Sequence, residues 1–209
     1  MVRILDREFY ARQSTVVARD LVGKILVRAL GSGKSLRGII VETEAYGGLK
    51  DPASHAFRGI TPRNEVMFGE PGFSYVYFTY GFHHCLNVVT GRRGNAQAVL
   101  IRALEPIEGV GIMEKLRGGE GKTSSLGLTN GPGKVCQALA IDRTLNKIDV
   151  TRRNSPIFFE DSKQNEAARK VVRSTRIGIK VGTEKPWRFF DPSSIYVSHR
   201  SNLNLTLKQ

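Results

Sequence analysis

Lys24-Ile25-Leu26-Val27-Arg28-Ala29-Leu30, then Gly31-Ser32-Gly33-Lys34, then Leu36-Arg37-Gly38-Ile39-Ile40-Val41-Glu42-Thr43-Glu44-Ala45-Tyr46 is the stretch that decides the fold. Two runs rich in aliphatic and β-branched residues flank a Gly/Ser turn, which predicts a β-hairpin. Before it, Ser14 is placed to cap a helix over Thr15–Val22, with Gly23 as the stop. After it comes Gly47–Gly72, a polar stretch broken by Gly and Pro and too long for a mere connection. Phe73–Tyr80, Cys85–Thr90 and Gln97–Leu104 read as three strands of an antiparallel meander, separated by Gly81-Phe82-His83-His84 and Gly91-Arg92-Arg93-Gly94-Asn95. A helix is expected within Ile107–Leu116, weakened by Gly109 and Gly111, then a flexible loop over Gly118–Thr129. Pro132 opens a helix running to about Ile141, and Pro156–Glu160 and Arg176–Val181 read as strands. With no repeat or linker in view, residues 1–209 are expected to form a single compact α+β domain, a mainly antiparallel sheet with peripheral helices.

The 209 residues carry 32 Lys and Arg against 19 Asp and Glu, a formal charge of +13. That surplus favours a polyanionic partner through neutralised phosphates and released counterions. It is uneven: after residue 150 there are twelve basic residues against five acidic ones, among them Arg152, Arg153, Arg169, Lys170, Arg173 and Arg176. Cys85 and Cys136 form neither a disulfide framework nor a CxxC site. The charged start, Met1 to Arg7, has no apolar signal core, and no apolar run reaches the ~20 residues needed to span a bilayer. The expectation is a cytoplasmic protein, nucleoid-associated in a prokaryote.

Gly33-Lys34-Ser35 resembles the end of a phosphate loop, but Arg28 stands where that motif needs its first glycine, and a strand follows where it needs a helix. His83-His84-Cys85 is a poor metal site, since neighbours on a strand point to opposite faces and no partner set lies at zinc-like spacing. Along Ile39–Tyr46, alternation puts Glu42, Glu44 and Tyr46 on one face and Val41, Thr43 and Ala45 on the other. Paired carboxylates at a strand end suit a metal, shared acid/base work or a solvated face. Tyr46 and the long loop after it favour a site. That loop holds His55, Arg58 and Arg63; Tyr75, Tyr77 and Tyr80 crowd the next strand and turn, and Asn87 follows. Aromatic faces, a carboxylate, an amide and basic residues are what a pocket for an extruded base requires, although Tyr75 fits an aromatic core equally well.

In Val41–Tyr46, Ala53-Ser54-His55, Thr61-Pro62-Arg63-Asn64, Tyr75–Gly81, Cys85-Leu86-Asn87, Arg102–Pro106 and Gly131–Leu139, the sequence resembles the alkyladenine (3-methyladenine) DNA glycosylase family. The segments occur in family order over most of the chain. The resemblance implies an enzyme of base-excision repair that flips damaged purines and hydrolyses the N-glycosidic bond, with a β-hairpin inserted into the DNA. By resemblance, Glu44 is the base that activates water, Arg102 helps hold that water, and a backbone carbonyl at Ile179 completes its site. Tyr46 would stack on one face of the base, His55 and Tyr77 on the other, and Asn87 would crowd the guanine 2-amino group. Tyr80, beside Phe82, would fill the gap in the duplex. Phosphate contacts are expected from Arg58, Arg63, Lys134 and Arg176. The implied partner is double-stranded DNA with damaged purines, bound by a monomer that needs no cofactor, metal, membrane or obligate protein partner.

Two readings from other classes compete. A metal-dependent nuclease would use Glu42 and Glu44 but needs further carboxylates around the ion. A non-catalytic nucleic-acid-binding domain accounts for the charge and leaves the Glu-Tyr-His grouping idle.

Overall fold

A computed structural model of the chain describes residues 3–79, 81, 83–119, 124–162 and 170–198. Its centre is the predicted hairpin: β1 (Ile25–Gly31) pairs antiparallel with β2 (Lys34–Tyr46). Ser32 and Gly33 both have positive φ, at 49° and 74°, the geometry of a two-residue hairpin turn. The meander also forms, as β3 (Ser74–Thr79), β4 (His83–Thr90) and β5 (Gln97–Glu108). With β6 (Ile157–Glu160), the sheet runs β3-β4-β5-β2-β1-β6 and is curled. At thirteen residues β2 is long enough to divide one edge between two partners. Its first half pairs with β1, and Glu42–Glu44 pair with β8 (Arg188–Phe190), which in turn pairs with β7 (Val172–Ser174).

Helix α1 (Arg7–Tyr10) is a single turn. Helices α2 (Ser14–Leu21) and α4 (Pro132–Ala138) bury Val17, Ala18, Leu21, Val135 and Cys136 against one face of the sheet, where Leu36, Ile40, Val99 and Ile101 meet them. Ser14 is the first residue of α2 and not its cap: its N–H is taken by the side chain of Gln97. The predicted helix near residue 110 is α3 (Val110–Leu116), shorter than expected because β5 continues through Glu108. The helix after Pro132 ends at Ala138, and the Gly118–Thr129 loop contains a 3-10 turn at Ser125–Gly127.

The strand expected over Arg176–Val181 does not form. Gly178 and Gly182 take positive φ, and the Ile177 N–H is spent on the Glu44 carboxylate and not on a neighbouring strand. The alternating Ile-Gly-Ile-Lys-Val pattern resembles a strand, but the backbone turns at Gly178 and again at Gly182 and pairs with none of the described strands. The true strands lie on either side, at β7 and β8.

A double irregularity shapes the other face of the sheet. Between β2 and β5 the register runs Ile40↔Leu104, Glu42↔Ala103, Thr43↔Ile101, one extra residue on each strand. Val41 therefore leaves the face it was expected to share with Thr43 and Ala45, and packs with Ala103, Phe190 and Val197. Thr43 stays on the helix side, donating its hydroxyl to the Ala18 carbonyl at 2.7 Å, while Glu42 and Glu44 point the other way. Bulges re-aim side chains in this manner, at the cost of local pairing.

Candidate active site

Opposite the helices, the curled sheet and the long loop enclose a cleft of about 530 Å³. Tyr46, His55, Tyr77, Asn87, Arg102 and Ile179 all line it. The residues the sequence grouped therefore converge from β2, the Gly47–Gly72 loop, β3, β4, β5 and the 176–182 turn. The loop is shaped by close approach: a Cβ on Gly48, whose φ is +67°, would lie 2.1 Å from the Asn95 carbonyl oxygen. Asn64, 1% exposed, ties it internally, donating to the carbonyls of His55 and Gly59 and accepting from the Thr61 N–H. That bonding explains the Thr-Pro-Arg-Asn segment as a brace for His55.

Glu44 lies behind the cleft lining, bonded to Tyr46 and Arg102, and is 0% exposed, so the solvated-face reading of the carboxylates falls. Oε1 accepts the Ile177 N–H at 2.7 Å and lies 3.3 Å from Arg102 Nη1, while Oε2 accepts the Tyr46 hydroxyl at 2.9 Å. Glu42, equally buried, is enclosed in a separate cage. Its Oε1 takes Arg102 Nε at 3.1 Å, Arg188 Nε at 2.6 Å and the Ser198 hydroxyl at 2.9 Å; its Oε2 takes the Ser198 N–H at 2.7 Å. So the two carboxylates do different work: Glu42 anchors Arg102, and Arg102 reaches on to Glu44. Burial opposes the charge on Arg102, but Glu44 and then Glu42 outweigh it and hold its pKa above the ordinary value. With its oxygens occupied by protein donors, Glu42 is no open ligand for a metal.

The aromatic wall is interlocked. Tyr75, 2% exposed, is a core residue that shares a 2.8 Å hydrogen bond with His55 Nδ1, and the His55 ring stands edge-on to Tyr77 at 4.5 Å. Burial, then the charge of Arg63, lowers the His55 pKa, which favours the neutral ring although its outer edge is open to solvent. Burial, then Glu44, raises that of Tyr46 well above the phenolic range. Asn87, 3% exposed, donates to the Tyr75 carbonyl at 3.2 Å.

Of the residues expected to grip phosphates, Arg58 and Arg63 are exposed; the Arg63 guanidinium lies 5.1 Å from the Tyr77 ring centroid and donates to the Phe78 carbonyl. Lys134 is half-buried and bonds Asn130 Oδ1 at 2.7 Å. Arg176 must be reassigned. Its side chain is 0% exposed and forms a two-pronged pair with Asp51, at 2.5 and 2.8 Å, so no phosphate can reach it. Arg188 is also buried, so the basic surplus of the last quarter is partly internal, while Arg152 pairs with Asp149 at the surface. Tyr80 and Phe82 lie outside the described residues. His84 packs on Phe78, at 5.0 Å between centroids. Sequence reasoning missed Asp51, Trp187, the Ile177 N–H and Ser198. Asp51 had a faint local signal, an Asx turn closed on the Ala53 N–H, whereas its partner lies 125 residues away.

A buried carboxylate held by three donors beside an aromatic-walled cleft is an arrangement suited to an enzyme that stacks a planar ring and activates water next to it. Residues 8–194 match the family model described as methylpurine-DNA glycosylase (MPG), and the chain belongs to that family. It is similar to proteins carrying the name "Putative 3-methyladenine DNA glycosylase". One from Carboxydothermus hydrogenoformans is 50% identical over 197 residues, covering 94% of this chain and 100% of that protein. Another, from Desulfitobacterium hafniense, is 48% identical over 203 residues, covering 93% and 98%. A third, from Methanocella arvoryzae, is 48% identical over 202 residues, covering 95% and 97%.

Proposed function

We propose that this chain is a monofunctional 3-methyladenine-type DNA glycosylase of base-excision repair. It takes an alkylated or otherwise damaged purine, flipped from double-stranded DNA, into the cleft and hydrolyses the bond to deoxyribose, leaving an abasic site. The observation that carries this reading is the buried Glu44 carboxylate bonded to Tyr46, which with His55 and Tyr77 walls the cleft. The base stacks between those walls, with Asn87 against its edge disfavouring the guanine 2-amino group. A water held by Glu44, Arg102 and the Ile179 carbonyl attacks C1′ and gives its proton to Glu44 as the C1′–N bond breaks. The bonding pair leaves with the purine, through an oxocarbenium-like state that the carboxylate also stabilises. A purine alkylated at N3 or N7 is cationic and leaves as a neutral base, so no enzymatic acid is required.

Tyr80 fills the space the base vacates, with Phe82 beside it, on a hairpin inserted between the strands; Arg58, Arg63 and Lys134 face phosphates. The enzyme acts as a monomer, in the cytoplasm and on the nucleoid of a prokaryote, without cofactor or obligate partner. Among the described residues, no helix is long and apolar enough to cross a membrane. The direct experiment incubates the protein with methylated duplex DNA and separates free bases. Release of 3-methyladenine supports the reading, and binding without release would return the chain to the non-catalytic class.

A further inference from the structure

Behind Tyr46, on the side away from the cleft, lies a buried charge pair that the reaction as described does not use. The Arg176 guanidinium carbon sits 4.8 Å from the Tyr46 ring centroid and 5.2 Å from that of Trp187, so the cation is sandwiched between two rings. Arg176 lines no part of the cleft, whereas Tyr46 does, so the free face of Tyr46 is the one open to a base. Nη1 of Arg176 also donates to the Ala45 carbonyl at 3.0 Å, and Nη2 to that of Gly182 at 3.2 Å. Asp51, itself 0% exposed, answers the charge through both oxygens and also accepts the N–H groups of Gly47 and Ala53. Lys185 Nζ is 3.9 Å from the same carboxylate, but its side chain is 24% exposed and water screens it.

A purine stacked at about 3.5 Å on the open face of Tyr46 would lie about 8 Å from the Arg176 charge. At that separation an unanswered cation repels a cationic base enough to cost on the order of tenfold in binding, after allowing for water in the open cleft. A neutral base feels almost none of this. We propose that Asp51 is a specificity-determining positioning residue, which neutralises Arg176 behind Tyr46 and so lets the cleft accept a purine carrying a full positive charge. The inference rests on the glycosylase reading above and deepens it. The pair also fixes the turn that carries Ile177 and Ile179, so a purely structural role must be told apart.

The test compares the parental protein with Asp51→Asn, Arg176→Met and the double variant. The readout is the second-order rate of base release, at limiting enzyme, from duplexes bearing 7-methylguanine (cationic) or hypoxanthine (neutral), with ethenoadenine as a second neutral lesion. Hypoxanthine and ethenoadenine differ in shape and share neutrality, so a change in the rate for 7-methylguanine against both of them follows charge and not shape. Asp51→Asn is expected to lower that ratio on the order of tenfold. Arg176→Met, which leaves the anion, is expected to raise it, and the double variant to restore it. Equal losses on both lesions in Asp51→Asn would reduce the pair to a brace and overturn the proposal, as would a lowered ratio in Arg176→Met. If melting shows that Asp51→Asn does not fold, Arg176→Met decides: a raised ratio sustains the proposal, and an unchanged or lowered one overturns it. Failure of the parental protein to release either base is a separate result, which strikes the glycosylase reading itself.

Discussion

Replacing Glu42 by glutamine keeps the shape of the side chain and removes one charge from a buried set of four. Glu42 and Glu44 are 0% exposed, and the side chains of Arg102 and Arg188 are 6% and 4% exposed. The set is neutral as it stands and becomes a net cation in Glu42→Gln, with the new amide N–H group turned toward donors on Arg102, Arg188 or Ser198. Removing one partner from a buried pair costs about 3–5 kcal/mol, because the remaining charge is left without its counter-ion. For a chain of this size each kcal/mol moves the melting temperature by about 2–4 °C, so a fall of about 6–20 °C is expected. The assay is a thermal melt followed by base release measured well below the transition. Glu44→Gln makes the contrast in activity: it takes a charge from the same buried set, so its melt should fall as well. It should lose at least about 100-fold in release, the low end of what a general base contributes, and should still bind damaged duplex. A Glu42→Gln melt within a degree or two of the parent would show that the cage holds nothing. Release by Glu44→Gln at the parental rate would remove Glu44 as the base.

Excision should continue in excess chelator and leave the abasic strand intact; strand scission without alkali or heat would bring Lys134 forward as an amine nucleophile, and loss of release on metal removal would revive the carboxylate metal site. Tyr80→Ala should be most harmful where flipping is hardest, so its deficit should shrink when the lesion sits in a mismatch or bulge. Tyr46→Ala should lose a stacking contribution of about 1–3 kcal/mol in paired and mismatched duplexes alike. Single-turnover release from both duplexes separates these, and equal Tyr80→Ala deficits would place that residue outside the duplex gap.

Local chemistry was legible wherever one segment contained its own reason. The Gly31–Lys34 turn, the meander from Ser74 to Glu108 and the alternation that sets Glu42, Glu44 and Tyr46 against Thr43 all follow from side-chain period and turn preference. The Arg176–Val181 segment misled for the same reason: its pattern was that of a strand, but whether a strand forms depends on an edge to pair with, and Ile177 had found Glu44 instead.

The sequence by itself determined the central hairpin, the three-strand meander, the family and the grouping of Tyr46, His55, Tyr77, Asn87, Arg102 and Ile179. The pairing of β5 with β2 and of β6 with β1 came only with the structure. Resemblance singled out Glu44, but strand alternation could not show what Glu42 does, because the two are two residues apart on one strand and chemically alike. Their partners make the difference: Arg188 and Ser198 for one, Tyr46 and the Ile177 N–H for the other, three of them more than 130 residues away. Nor could it tell that Arg176 is internal, since an arginine's role is set by what lies around its guanidinium, and Asp51 and Trp187 arrive only when the chain has closed. Burial turns a charge that would be solvated into one that must be answered, and only the tertiary structure supplies both the burial and the answer.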